Sequence, residues 1–72
     1  MTFTAFCQDA DGTGTVWIAT VEADSVDQAK TKAVAACSED WYGEEAKNMA
    51  DSIKCIGLAE GDITILMWED IN

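Results

Sequence analysis

From Thr2 to Gln8 apolar and polar positions alternate: Phe3, Ala5 and Cys7 fall on one side and Phe6 turns to the other. That period of two is the mark of a strand. Val16–Glu22, "VWIATVE", repeats it, with Trp17, Ala19 and Val21 on one face and Val16 and Ile18 on the other. The stretch between them, "DADGTGT" over 9–15, supplies Gly12 and Gly14 for positive φ, so the two runs predict a β-hairpin. After Ala23 the period changes. Ser25 stands three residues before Gln28, a capping box, and Val26, Ala29, Ala33, Ala36 and Cys37 follow at helical spacing. This predicts a helix over about 25–39. Asp40 would fall on the same apolar face, so the helix is expected to end there, with Trp41 and Tyr42 folding back over the edge of the core. A stripe made mostly of Ala and Cys lets such a helix lie close to a sheet.

The next segment, "GEEAKNMADS" over 43–52, carries Ala46, Met49 and Ala50, which support either a short helical piece over 44–51 or an ordered loop. Ile53–Ala59 and Asp62–Trp68, joined by "EGD", predict a second hairpin, with Ile63, Ile65 and Met67 on one face and Leu66 and Trp68 on the other. The order is then ββαββ, an α+β fold: a four-stranded, mainly antiparallel sheet with one helix packed on one face. Strands apolar on both faces are more than one helix can cover. Some of Phe6, Trp17, Ile18, Leu66 and Trp68 must therefore meet loops, a second copy of the chain or a partner.

A chain of 72 residues reads as one small domain, 1–72, with no repeat, linker or low-complexity segment. Apolar residues are 49% of it, with three Trp, enough for a core without covalent staples. No apolar run is long enough to span a bilayer, and the N-terminus lacks the basic-then-apolar pattern of a secretory signal, which leads to an expectation of a soluble protein of the cytoplasm. Cys7, Cys37 and Cys55 are odd in number and widely spaced, so they read as free thiols filling apolar positions. With no histidine and no CxxC pattern, zinc is not expected.

The stretch "DADGTGT" invites comparison with a calcium loop, in which Asp9, Asp11 and Gly14 would fill the first, third and sixth positions. The fifth is Thr13, a neutral hydroxyl, and the twelfth is Thr20, which cannot chelate. The ligand set fails where most of its charge should be, and strands rather than helices flank it. No metal and no cofactor are expected. Catalysis is not expected either: without His or Arg, acid–base work would fall to carboxylates or Lys, and a Cys nucleophile would have no His to activate it.

Charge changes the picture most. Fourteen Asp and Glu face four Lys, a formal net charge of −10. That sign disfavours direct binding to nucleic acid and favours a basic protein that itself binds nucleic acid. The acids cluster at Asp9 and Asp11; at Glu22, Asp24 and Asp27; at Glu39, Asp40, Glu44 and Glu45; at Asp51; at Glu60 and Asp62; and at Glu69 and Asp70. Trp41 and Tyr42 lie inside the densest group, aromatic anchors in a charged rim. Duplex DNA carries about one negative charge per 1.7 Å of axis, and a domain about 25 Å across could hold a comparable array rigidly. The alternative is that acidity serves solubility alone, with Asp24 and Asp27 answering the positive end of the helix.

The tiny length, the acidity and the strand–cap–helix phrase "VEADSVDQAKTKAVAAC", about a quarter of the chain, resemble small phage-encoded proteins, among them anti-CRISPR inhibitors. That resemblance implies a stoichiometric, non-enzymatic inhibitor in the bacterial cytoplasm, acting against a CRISPR-Cas surveillance complex of the Cascade kind. Anti-CRISPRs share no family-wide motif, so no residue is carried over from them. The residues the sequence itself puts forward for partner binding are Asp24, Asp27, Glu39, Asp40, Glu44, Glu45 and Asp51, with Trp41 and Tyr42 as anchors. The competing expectation is a small acidic assembly protein that dimerises through an uncovered sheet face.

Overall fold

The computed structural model describes residues 1–64 and 66. Two strands, β1 (Thr2–Asp9) and β2 (Trp17–Glu22), are followed by helix α1 (Val26–Tyr42). A short α2 (Ala46–Met49) comes next, flanked by 3₁₀ turns at Gly43–Glu45 and Ala50–Ser52, and then β3 (Ile53–Glu60). The fold is mixed α+β with a three-stranded antiparallel sheet in the order β2-β1-β3. No helix among the described residues is long and apolar enough to cross a membrane.

The first hairpin forms as its alternation dictates. Pairing runs from Thr2↔Glu22 to Cys7↔Trp17, which sets Phe3, Ala5 and Cys7 on the face toward α1. Ser25 caps α1 by accepting from the Gln28 N–H at 3.1 Å, while Gln28 Oε1 accepts from the Asp24 N–H at 2.6 Å. The capping box is thus displaced by one residue at its reciprocal bond.

The core is a ladder of small side chains. Phe3 clusters with Ala23 and Ala29, and Ala5 and Cys7 with Ala33, Cys37 and Ile53, all buried. Two residues of strand advance about 6.6 Å and four residues of helix about 6.0 Å, so β1 and α1 stay in step along their contact. Ala36 of the predicted stripe is half-buried and Val26 is exposed, at 56%. Ser38, a polar residue, is buried in the next position along and is satisfied by donating its hydroxyl to Ala46 O at 2.6 Å. That bond ties α2 back onto α1.

The structure corrects the expected end of the helix and the expected fourth strand, and decides the alternative left open over 43–52. Helix α1 runs three residues past 39 and includes Trp41 and Tyr42 in its last turn. Nothing breaks it before Gly43, whose φ of 54° only glycine adopts readily and whose N–H donates to Glu39 O. Both aromatics are half-buried and pack on the core from within the helix. Segment 43–52 takes the helical alternative, in three short pieces.

The order among the described residues is ββαβ, without the predicted fourth strand: Asp62, Ile63 and Thr64 are not in a strand. The rest of that prediction, on Ile65, Met67 and Trp68, lies outside the described residues. Gly61, at φ 85°, turns the chain across β1 instead of back along β3. Its N–H donates to Thr2 O at 2.8 Å, the Thr4 hydroxyl donates to Gly61 O at 2.7 Å, and the Ile63 N–H donates to Thr4 Oγ1 at 3.3 Å. Thr4 is thereby buried on the second face of the sheet, as is Gln8, whose amide donates to Gly14 O at 2.9 Å. No described buried side-chain nitrogen or oxygen lacks a partner.

The ladder leaves no room for a larger side chain at its centre. Ala33→Leu should cost about 1–3 kcal/mol by overpacking, read as a lower urea midpoint with an unchanged slope. Ala35→Leu, on the exposed side of the same helix, should leave the midpoint within about 0.5 kcal/mol.

Candidate interaction surface

The topology sorts the described acids into two poles. At one end of the sheet β1 begins, β2 and β3 finish, and α1 starts. Thr2 faces Glu22 and Phe3 faces Glu60 in register, so Glu22 and Glu60 join Asp24, Asp27 and Asp62 there. The N-terminal amine lies 3.8 Å from Glu22 Oε2, and Lys32 donates to Glu22 O at 2.8 Å.

At the other end β1 finishes at Asp9, opposite Ile53, and α1 ends above it. The Ala10 N–H donates to Ser52 O at 2.8 Å, which draws the first hairpin loop against Ala50–Ser52. Trp17, packed against the core beneath the end of α1, donates its indole N–H to Asp40 Oδ2 at 3.0 Å. Asp9, Asp11, Glu39, Asp40, Glu44, Glu45 and Asp51 are thus gathered at one pole, with Lys47 and Lys54 as the nearby cations. A shallow cleft of about 480 Å³ there is lined by Asp9, Asp11, Tyr42, Met49 and Asp51. A wider one of about 740 Å³ lies on the other side of α1, with Glu39, Glu44 and Lys47 around Gly43 and Ala46.

The nine residues put forward from the sequence are therefore divided. Asp24 and Asp27 sit at the start of α1, and Glu39, Asp40, Trp41, Tyr42, Glu44, Glu45 and Asp51 at or beyond its end. Twelve residues of helix separate Asp27 from Glu39, about 18 Å along the axis. Lys30 and Lys32 are exposed in that interval, so the anionic line along the helix is interrupted. All seven of those acids are exposed. Of the two aromatics, Tyr42 borders the acidic cleft.

Sequence reasoning had not joined Asp9 and Asp11 to this set. They arrive through strand pairing, because Asp9 faces Ile53 and so stands next to the chain that carries Asp51. Alternation could have revealed this only once β3 was known to pair with β1. Within the loop, Asp11 Oδ1 accepts from the Thr13 hydroxyl at 2.7 Å and from the Thr13 N–H at 3.0 Å. Those two bonds hold its carboxyl below the usual carboxylate range, the hydroxyl contributing most. The stretch that resembles a calcium loop is a hairpin turn closed by its own side chains. No group of three or more Asp, Glu or Cys among the described residues is arranged to hold a metal ion.

The two poles differ in how they meet the helix dipole. Asp27 lies in the first turn of α1, where negative charge is favoured. Glu39 and Asp40 lie near its C-terminus, where cations are favoured, and no basic residue stands in the last turn. Each misplaced acid there costs about 0.3–1 kcal/mol at low ionic strength. Glu44 and Glu45 follow at once and add like charge to the same end.

No family model matches this chain, and neither a curated protein nor a solved structure matches it.

Crowded carboxylates repel, and salt screens them. The melting temperature should rise by about 2–6 °C between about 10 and 200 mM NaCl, as the Debye length shrinks from about 30 to below 10 Å. A triple Glu39→Gln, Glu44→Gln, Glu45→Gln variant should melt higher at low salt and show a smaller salt effect.

Proposed function

We propose that the protein is a non-catalytic, stoichiometric inhibitor whose acidic pole at the end of α1 occupies a Lys/Arg-rich nucleic-acid-binding surface of another macromolecule. Following the resemblance to anti-CRISPR inhibitors, the target is a bacterial CRISPR-Cas surveillance complex of the Cascade kind.

The observation that carries this reading is the placement of Glu39 against the helix dipole, beside Asp40, which the Trp17 indole holds, and with Glu44, Glu45, Asp51, Asp9 and Asp11 gathered at the same end. Solubility needs only acids somewhere on the surface, and Asp24 and Asp27 satisfy it where the helix welcomes them. Acids collected where the local electrostatics oppose them are better explained by something they bind. Tyr42 at the rim of the cleft supplies an apolar anchor with a polar tip. Attraction to a basic groove would hasten encounter and release counterions, and would weaken as salt rises.

The interval carrying Lys30 and Lys32 narrows the reading. The mimicking surface is one pole of the molecule rather than the whole length of α1, and Asp24 and Asp27 stand apart from it. The competing reading, a dimer through the second sheet face, is disfavoured by the chain crossing at Gly61–Ile63. That crossing bonds to Thr4 toward one end of the face and the Gly14 carbonyl to Gln8 toward the other, which leaves less of it open.

A competition assay tests the proposal, with a purified surveillance complex, labelled duplex DNA and increasing amounts of this protein. The wild type should displace DNA at low salt and lose affinity steadily as salt rises. Since each rim charge contributes about 0.2–1 kcal/mol, reversal of three (Glu39→Lys, Glu44→Lys, Glu45→Lys) should weaken binding tenfold or more. Asp24→Lys with Asp27→Lys should weaken it by less than threefold. Equal affinity of the triple variant and wild type, or no displacement of DNA at any salt, would overturn the reading.

A further inference from the structure

The three cysteines, 30 and 18 residues apart along the chain, converge in the fold. Cys7 and Cys37 are fully buried in the same core cluster, and Cys55 is half-buried against it. The convergence of Cys55 depends on an irregularity in β3. From Phe3↔Glu60 to Phe6↔Gly57 the β1–β3 register is continuous, and then it shifts, so that Cys7 faces Cys55. Ile56 is the residue left out of the pairing, and it is 49% exposed.

Had the register continued, Cys7 would face Ile56, and Cys55 would face Gln8 on the other side of the sheet. A one-residue slip exchanges the two faces of a strand. The bulge therefore turns Cys55 toward the helix side, beside Cys7, and leaves an isoleucine in solvent. Bulges that re-aim one side chain at such a cost recur next to functional positions.

Cys55 is also reachable. It lines a cleft between α1 and β3 together with Lys30, Val34 and Lys54, and a smaller one with Val26, Ile56 and Leu58. Its thiol donates to Gly57 O at 3.5 Å. Directly opposed residues of an antiparallel pair have Cα atoms about 4.5 or 5.5 Å apart, and a disulfide spans about 4.4–6.8 Å. A Cys7–Cys55 bond therefore fits the observed pairing.

We propose that Cys55 is a covalent modification site for small disulfides and that Cys7 is its resolving partner. The Cys55 thiolate attacks one sulfur of a disulfide RSSR, forming Cys55–S–SR and expelling RS⁻. The Cys7 sulfur, once deprotonated, attacks the Cys55 sulfur, closes the Cys7–Cys55 disulfide and expels the second RS⁻. Two protein thiols are oxidised and RSSR is reduced to two RSH, which carry off the two protons.

Burial first, then the charge and hydrogen bonding of Cys55 and Cys37, push the Cys7 thiol up to about 12. Its thiolate is scarce near neutrality, so closure is the slow step and quickens about tenfold per pH unit between about pH 7 and 9.

The test uses the full chain with oxidised glutathione in excess, followed by intact mass and peptide mapping. The wild type should gain one glutathionyl group on Cys55, then lose it to a species lacking two hydrogens with Cys7 linked to Cys55. Cys55→Ser should stay unmodified, Cys7→Ala should keep the adduct, and Cys37→Ala should close as the wild type does. If Cys7→Ala fails to fold by circular dichroism, the peptide map of the closed wild-type species decides: a Cys7–Cys55 link supports Cys7 as the resolving thiol. Labelling that needs denaturant, an adduct that never closes in the wild type, or a map linking Cys55 or Cys7 to Cys37 would each overturn the proposal.

Discussion

Between β1 and α1 nearly every facing side chain is small, and this sets the distance at which helix and sheet meet. Ala5, Cys7, Ala29, Ala33 and Cys37 are all fully buried, and their volumes are so low that only close approach can exclude water. The approach is possible because strand and helix advance almost equally per repeat, which keeps Phe3, Ala5 and Cys7 level with Ala29, Ala33 and Cys37. The larger apolar groups, Trp17, Val21, Trp41, Tyr42 and Leu58, close the margins of this narrow seam. Along the seam Ser38 is pulled under the chain at Ala46, Asp40 is brought within reach of Trp17, and Cys7 meets Cys37.

The seam also governs the electrostatics. A helix lying along a central strand brings its two ends to the two ends of the sheet, where the loops are. Loops in this chain are acidic, so charge accumulates at the poles and thins along the middle, where Lys30 and Lys32 stand. The pole at the start of α1 is in harmony with the helix dipole and the pole at its end is not. That asymmetry separates acids that any soluble protein could carry from acids that need a reason.

Much of this was legible in the sequence. The alternation of Thr2–Gln8 and Val16–Glu22 gave the first hairpin and its faces, and Ser25 with Gln28 marked the start of the helix. The end of that helix was misread because Asp40 looked out of place on an apolar stripe. In the structure its carboxylate sits at the edge of the stripe and accepts a hydrogen bond from the Trp17 indole N–H, a partner 23 residues away. The second hairpin was read from alternation that is present, but Gly61 sends the chain across β1, where the Thr4 hydroxyl provides hydrogen bonds that no periodicity reveals. The acidic pole was half legible: helix spacing groups Glu39 with Asp40, whereas the arrival of Asp9 and Asp11 needs the β1–β3 pairing. The bulge at Ile56 was not legible at all, since a register is a property of two strands together.

Strand β1 is both the first element of the chain and the middle of the sheet. One neighbour follows within a few residues, but the other is the last strand described, β3, beginning at Ile53. During synthesis the hairpin and helix can emerge and associate, yet one whole side of β1 stays without its hydrogen-bonding partner until residues 53–60 leave the ribosome. The sheet is therefore completed through a long-range closure of the kind that slows folding. The acidic pole, where Asp9 meets Ile53, therefore takes its final form only when β3 docks.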